Sequence, residues 1–169
     1  HYDMYKLLSI VGGVPWYLEQ FNPSITADDN IKQLAFEKNG LFVTEFDRIF
    51  HDLFNGKGAT YKKILDSLKD GARTLSEIRQ SIEFAHSGTL SQMMDHLIVA
   101  GFVVKQSLWS FKTANPLKQS LYRMSDPYMR FYLKVIEPNL GTIADGGFDQ
   151  AQLSTMPGFD THMGLQLEA

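Results

Sequence analysis

The side chains able to do chemistry are scattered along this chain. Histidines stand at positions 1, 51, 86, 96 and 162, and no two are three or four residues apart, so no helical face offers a pair of imidazoles to zinc. The chain has no cysteine, which excludes disulfides and thiolate metal sites. Serines 87, 91, 107, 110 and 120 lack the Gly-x-Ser-x-Gly setting of a nucleophile elbow. No Gly-x-x-x-x-Gly-Lys-Ser/Thr occurs, so the backbone cradle and lysine that hold nucleotide phosphates are missing. The expectation is a chain that is not itself an enzyme and carries no cofactor or metal.

Polar recognition is the chemistry that remains. Leu90, Met93, Met94, Leu97 and Ile98 recur at helical spacing, which turns Thr89, Ser91, Gln92, Asp95 and His96 outward. These side chains suit base edges or phosphates, yet the helix has no Lys or Arg. Cations follow it at Lys105, Lys112, Lys118 and Arg123, with Lys62, Lys63, Arg73 and Arg79 elsewhere. Together these cations could make about four to six phosphate contacts, and the candidate nucleic-acid contacts are Thr89, Ser91, Gln92, His96, Lys105, Lys112, Lys118 and Arg123. Trp109 and Phe111, in the same stretch, suit a protein interface instead.

Charge gives the same divided message. The net charge is −3, but residues 59–125 hold nine basic against five acidic residues while both flanks are acidic. A mildly basic middle can approach phosphates without being a strongly basic DNA-binding domain.

The elements that must position these residues are mostly helical. A helix over Met4–Val11 ends at Gly12-Gly13, and Pro15 starts another through Trp16, Tyr17, Leu18 and Phe21. Thr26 caps a helix from Ala27 to about Lys38. Phe42, Phe46, Ile49, Phe50, Leu53 and Phe54 form an apolar stripe on a fourth, broken by Asn55-Gly56-Lys57-Gly58. Tyr61, Ile64, Leu65 and Leu68 mark a fifth, and Thr74-Leu75-Ser76-Glu77 is a capping box opening a sixth. After the helix ending at Ala100-Gly101, Phe102–Lys105 and Ser120–Met124 read as strands around a polar loop containing Asn115-Pro116. Three short helices and a hairpin make a winged helix-turn-helix. Asp126-Pro127 opens an apolar helix through Tyr128, Phe131, Tyr132 and Ile136; residues 139–158 read as a poorly structured connection, with a last helical start near Thr161.

Three of these landmarks, in this order, resemble one family. Gly12-Gly13-Val14-Pro15-Trp16-Tyr17-Leu18, then Leu97-Ile98-Val99-Ala100-Gly101-Phe102-Val103, then Tyr122-Arg123-Met124-Ser125-Asp126-Pro127-Tyr128-Met129-Arg130-Phe131-Tyr132 resemble the archaeal-type ATPases of the signal-transduction (STAND) branch of the AAA+ superfamily, in the part that follows the nucleotide-binding core. The resemblance implies a helical lid remnant over 1–57, a winged helix over 58–125, and a connecting helix with the start of a nuclease-like domain over 126–169. Gly13 and Pro15 resemble the lid's Gly-x-Pro motif, which implies contact with nucleotide in the intact protein only. ATP and Mg, an upstream P-loop domain and a downstream nuclease-like domain are likewise implied for the intact protein. Gly164–Glu168 resembles the start of that last domain, without the acidic strand pair that a nuclease metal requires.

The expected fold is thus mainly α with a small β-hairpin. The expected function is a winged-helix module coupling nucleotide state to double-stranded DNA or a protein partner. The competing readings are a stand-alone DNA-binding transcriptional regulator and a structural dimerisation module. The opening on His1 and the stop at Glu168-Ala169 within a helical pattern suggest that both ends are cut. No membrane partner is expected, and the cytoplasm is the default location.

Overall fold

The computed structural model describes residues 2–54, 56–85, 87–110 and 115–167, and these are mainly helical with a small antiparallel sheet. The chain folds as two compact units, His1–Asp52 with Pro127–Ala169, and Leu53–Asp126.

The first unit begins with α1 (Tyr2–Val11), α2 (Pro15–Leu18), α3 (Ala27–Ala35) and α4 (Leu41–Phe54, whose last two residues fall in the second unit). Gly12 closes α1 at φ +63°, where a Cβ would also stand 3.3 Å from Pro127, so two independent constraints favour glycine. The Thr26 side chain accepts the Asp29 amide and caps α3. Along α4 the spacing of four turns Phe42, Phe46 and Phe50 inward, while Leu53 stays exposed. Phe46 stacks on Tyr132 with centroids 4.1 Å apart, and the buried Tyr128 hydroxyl donates to the Phe42 carbonyl at 2.9 Å. This hydrogen bond satisfies a hydroxyl that would otherwise make burial of so large a ring costly.

Residues 127–169, read from sequence as a connecting helix and a truncated domain start, lie in the same unit as the N-terminal helices. The reason is burial: α8 (Pro127–Phe131) and the π-helical turn Tyr132–Ile136 place Tyr128, Met129, Phe131, Tyr132, Leu133, Val135 and Ile136 out of solvent. The expected regular helix becomes a π-turn just before Pro138, which has no N–H to donate to the carbonyl four residues earlier; the Glu137 amide bonds back five residues to Tyr132 instead. Residues 139–158 are also more ordered than expected. They hold a 3-10 turn (Glu137–Asn139), α9 (Leu140–Ala144) and a second 3-10 turn (Leu153–Thr155), pinned by buried Ile143, Phe148, Leu153 and Met156. Gly158, at φ +82° and within 3.2 Å of the Lys134 carbonyl for any added Cβ, then admits α10 (Phe159–Leu167).

The second unit contains α5 (Gly58–Leu68), β1 (Arg73–Thr74), α6 (Leu75–Ser81), α7 (Ser87–Val99), β2 (Val103–Ser110) and β3 (Asn115–Met124). Tyr61, Ile64, Leu65 and Leu68 are buried on α5, and Leu90, Met93, Met94 and Leu97 on α7, as helical periodicity requires. The capping box at α6 is complete: the Glu77 amide donates to Thr74 Oγ1 at 3.2 Å and the Thr74 amide to Glu77 Oε2 at 2.7 Å. That charge-assisted bond, with the Thr74 hydroxyl next in weight, holds the Glu77 carboxyl below its usual range.

The sheet is larger than the expected hairpin. Its three antiparallel strands run β1-β3-β2, with Arg73 opposite Tyr122 and Val103 opposite Met124. Strand β1 is too short to leave a period-two signal, and Thr74 serves both as strand end and helix cap. Strands β2 and β3 extend to Ser110 and from Asn115, beyond the predicted ends, where Gln106, Ser107 and Gln119 interrupt the apolar alternation that marks a strand. Among the described residues no helix is long and apolar enough to cross a membrane.

His162 ties α10 to α1 in the first unit. Its imidazole is fully buried, Nε2 donates to the Ser9 carbonyl at 3.1 Å, and Nδ1 has no partner among the described residues. Burial, with smaller contributions from Arg130 and Lys134, pushes its pKa down to about 4 from 6.5. Above pH 6.5 folded and unfolded forms are both neutral; below it the unfolded form takes up a proton that the folded form refuses until about pH 4. Stability should therefore fall across that window by on the order of 3 kcal/mol from this group. Urea unfolding of wild type and His162→Phe at pH 7.5 and 4.5 checks this: wild type should lose about 2 to 3 kcal/mol more than the variant on acidification.

Candidate functional site

The residues with recognition chemistry lie on α7 and the β2–β3 hairpin of the second unit. Helix α7 commits one face to the core, so Thr89, Gln92, Asp95, His96 and Val99 are exposed and Ser91 is half-buried. Val99 is 88% exposed, the largest exposure among the large apolar side chains described, and it stands on a helix without Lys or Arg. The outward surface of α7 therefore presents two neutral polar groups, one acid, one histidine and one bare apolar side chain.

Of the four predicted hairpin cations, the structure describes the side chains of Lys105 and Arg123. Lys105 is exposed, but its ammonium lies 5.9 Å from the centroid of the Tyr122 ring, the residue opposite it in the register. Arg123 is half-buried and its Nε is buried with no hydrogen-bond partner among the described residues. Lys112 and Phe111 lie outside the described residues, as does the side chain of Lys118. Trp109 is 54% exposed.

At the far end of α7 the structure forms a feature that sequence reading missed. A groove of about 520 Å³ is lined by Leu53, Phe54, Lys57, Tyr61, His96 and Val99, together with Ala100. Phe54 stacks on Tyr61 with centroids 3.9 Å apart, and the Tyr61 hydroxyl lies 2.7 Å from His96 Nδ1. Burial raises the Tyr61 pKa above its ordinary value, so the hydroxyl keeps its proton. The available signal was Tyr61 and His96 each sitting at the edge of an apolar helical stripe; their pairing across thirty-five positions leaves no trace in local periodicity.

Gly13 and Pro15 belong to the first unit. Both are exposed; Pro15 opens the single turn α2, and nothing approaches within 4 Å of a Cβ placed on Gly13. The adjacent Trp16 lies 5.0 Å beneath the guanidinium of Arg48, which also pairs with the buried Glu45. His51 is exposed, and Glu168 lies outside the described residues. Among the described residues no cluster of three or more His, Asp or Glu is placed to hold a metal.

Comparison with known proteins gives one distant relative to report. The chain is similar to an uncharacterised protein of Methanocaldococcus jannaschii, 27% identical over 172 aligned residues. The alignment covers 98% of this chain and 36% of that protein, so the chain spans about a third of the relative's length. No family profile matches the chain, and no solved structure matches it.

The two faces of α7 should respond oppositely to truncation. Leu97→Ala, at a fully buried position, should lower unfolding free energy by about 2 to 5 kcal/mol in urea titration. Val99→Ser, two residues on, should change it by less than about 0.5 kcal/mol.

Proposed function

We propose that this chain is the post-core part of a STAND-type ATPase. In this reading the second unit is a winged helix that transmits nucleotide state by engaging a protein surface. The observation that carries the choice of partner is the outward face of α7: it has no Lys or Arg, it bears Asp95, and it exposes Val99 beside an apolar groove. A helix inserted in a major groove lies between two phosphate backbones, which repel an acid and which Lys or Arg normally engage to supply much of the affinity. Depletion of charge with exposed Val99, Leu53 and Trp109 is instead the composition of a protein contact.

The ATPase assignment is supported by the resemblance alone, through the Gly-Gly-x-Pro element and the Ser125-Asp126-Pro127 run. Gly12 of the one and Pro127 of the other lie against each other within the first unit. The proposed partners are the upstream P-loop domain and the downstream nuclease-like domain of the same protein, with ATP and Mg bound upstream and Gly13 and Pro15 near the nucleotide. A cytoplasmic location is part of the same proposal. Double-stranded DNA is the second reading, favoured by the exposed Lys105 and the excess of basic residues over 59–125.

The coupling claim has a direct test. In a polypeptide that carries the proposed P-loop domain ahead of residue 1, exchanging ATP for ADP should change amide hydrogen-exchange protection along α7 and the hairpin by about tenfold. Equal protection in both nucleotide states would remove the coupling role.

A further inference from the structure

We propose that the groove at the end of α7 docks a peptide segment that pairs a bulky apolar side chain with a carboxylate. The inference rests on the reading of the second unit as a protein-binding module, and it names the chemistry of the partner. Three features of the groove lead to it.

The first is its walls. Leu53 and Val99, 53% and 88% exposed, stand at the rim, and the stacked Phe54–Tyr61 pair lines the interior. An apolar side chain entering here covers surface that now faces water. The volume, about 520 Å³, is that of a working ligand pocket, roughly 300 to 1,000 Å³.

The second is the direction of the Tyr61–His96 hydrogen bond. A phenol is a stronger donor than acceptor and an imidazole nitrogen is a good acceptor, so Tyr61 donates to Nδ1. The ring proton then sits on Nε2, fixed in orientation by the bond to the other nitrogen. Tyr61 is a positioning residue, and His96 becomes a directed N–H donor lining the groove.

The third is charge complementarity. Lys57 is exposed, lines the groove, and pairs with no carboxylate among the described residues. Asp95, the acid of α7, is not among the lining residues. The lining side chains thus offer a cation and an N–H donor and include no carboxylate, inside apolar walls. A carboxylate flanked by an apolar side chain satisfies both demands, and a charge-assisted bond is about twice as strong as its neutral counterpart.

NMR of the chain tests this with two probes, acetyl-Leu-Glu-Leu-amide and acetyl-Leu-Gln-Leu-amide. Long-range nitrogen–proton spectra should find His96 as the Nε2–H tautomer, mixing with the other tautomer in Tyr61→Phe. The Glu peptide should shift the amides of Lys57, Tyr61, His96 and Val99 saturably and bind about fivefold tighter than the Gln peptide. Lys57→Glu should erase that preference and Val99→Glu should abolish binding, each with the remaining spectrum unchanged. Equal binding of the two peptides, no shifts at the groove, an Nδ1–H tautomer in wild type, or saturation by octanoate without response to the Glu peptide would each overturn the proposal. Peptide failure beside nucleotide-linked protection of α7 removes this inference and leaves the partner-binding role; loss of both removes the role itself.

Discussion

The account depends on one packing constraint: helix α7 must bury Leu90, Met93, Met94 and Leu97, and at 3.6 residues per turn that choice dictates every side chain it can show to a partner. Nothing short of unfolding the helix can turn a different set outward. The outward set contains no Lys or Arg, the side chains that supply most phosphate contacts, so that share of any DNA affinity must come from elsewhere in the unit. Among the described hairpin side chains, Lys105 lies near the Tyr122 ring and Arg123 is half-buried.

The first unit obeys a different constraint, set by backbone chemistry. Pro138 removes a donor, the preceding turn widens to a π-turn, and Gly158 sits close enough to the Lys134 carbonyl that a side chain would crowd it. Helix α10 can then place His162 in full burial against Ser9, close to Phe131. The buried imidazole is a structural tie with an acid-sensitive cost, and of its two ring nitrogens only one is bonded among the described residues.

Sequence alone exposed those features whose cause is local. The Thr74–Glu77 capping box, the Thr26 cap, the glycine stop at Gly12 and the α5 and α7 core stripes are all set within a few residues, and the structure contains them. It hid those whose cause is distant. The two-residue strand β1 exists through pairing with β3, and residues 139–158 are ordered by Phe148, Leu153 and Met156 reaching a core built largely by other segments. The groove combines the end of α4, the start of α5 and the end of α7, and its central hydrogen bond joins residues that no helical period relates. His96, picked out as a nucleic-acid contact, is exposed as expected, but its Nδ1 is engaged by Tyr61.

The choice between a protein surface and DNA is the central claim, and fluorescence anisotropy with a labelled random duplex tests it most directly. Phosphate-dominated binding weakens steeply with salt, so titrations at about 0.05 M and about 0.2 M salt separate it from other association. The account predicts no saturable binding at the lower salt up to about 10 μM protein. Micromolar binding there, lost at the higher salt and lost again in Lys105→Glu, would contradict it and make the hairpin a nucleic-acid contact.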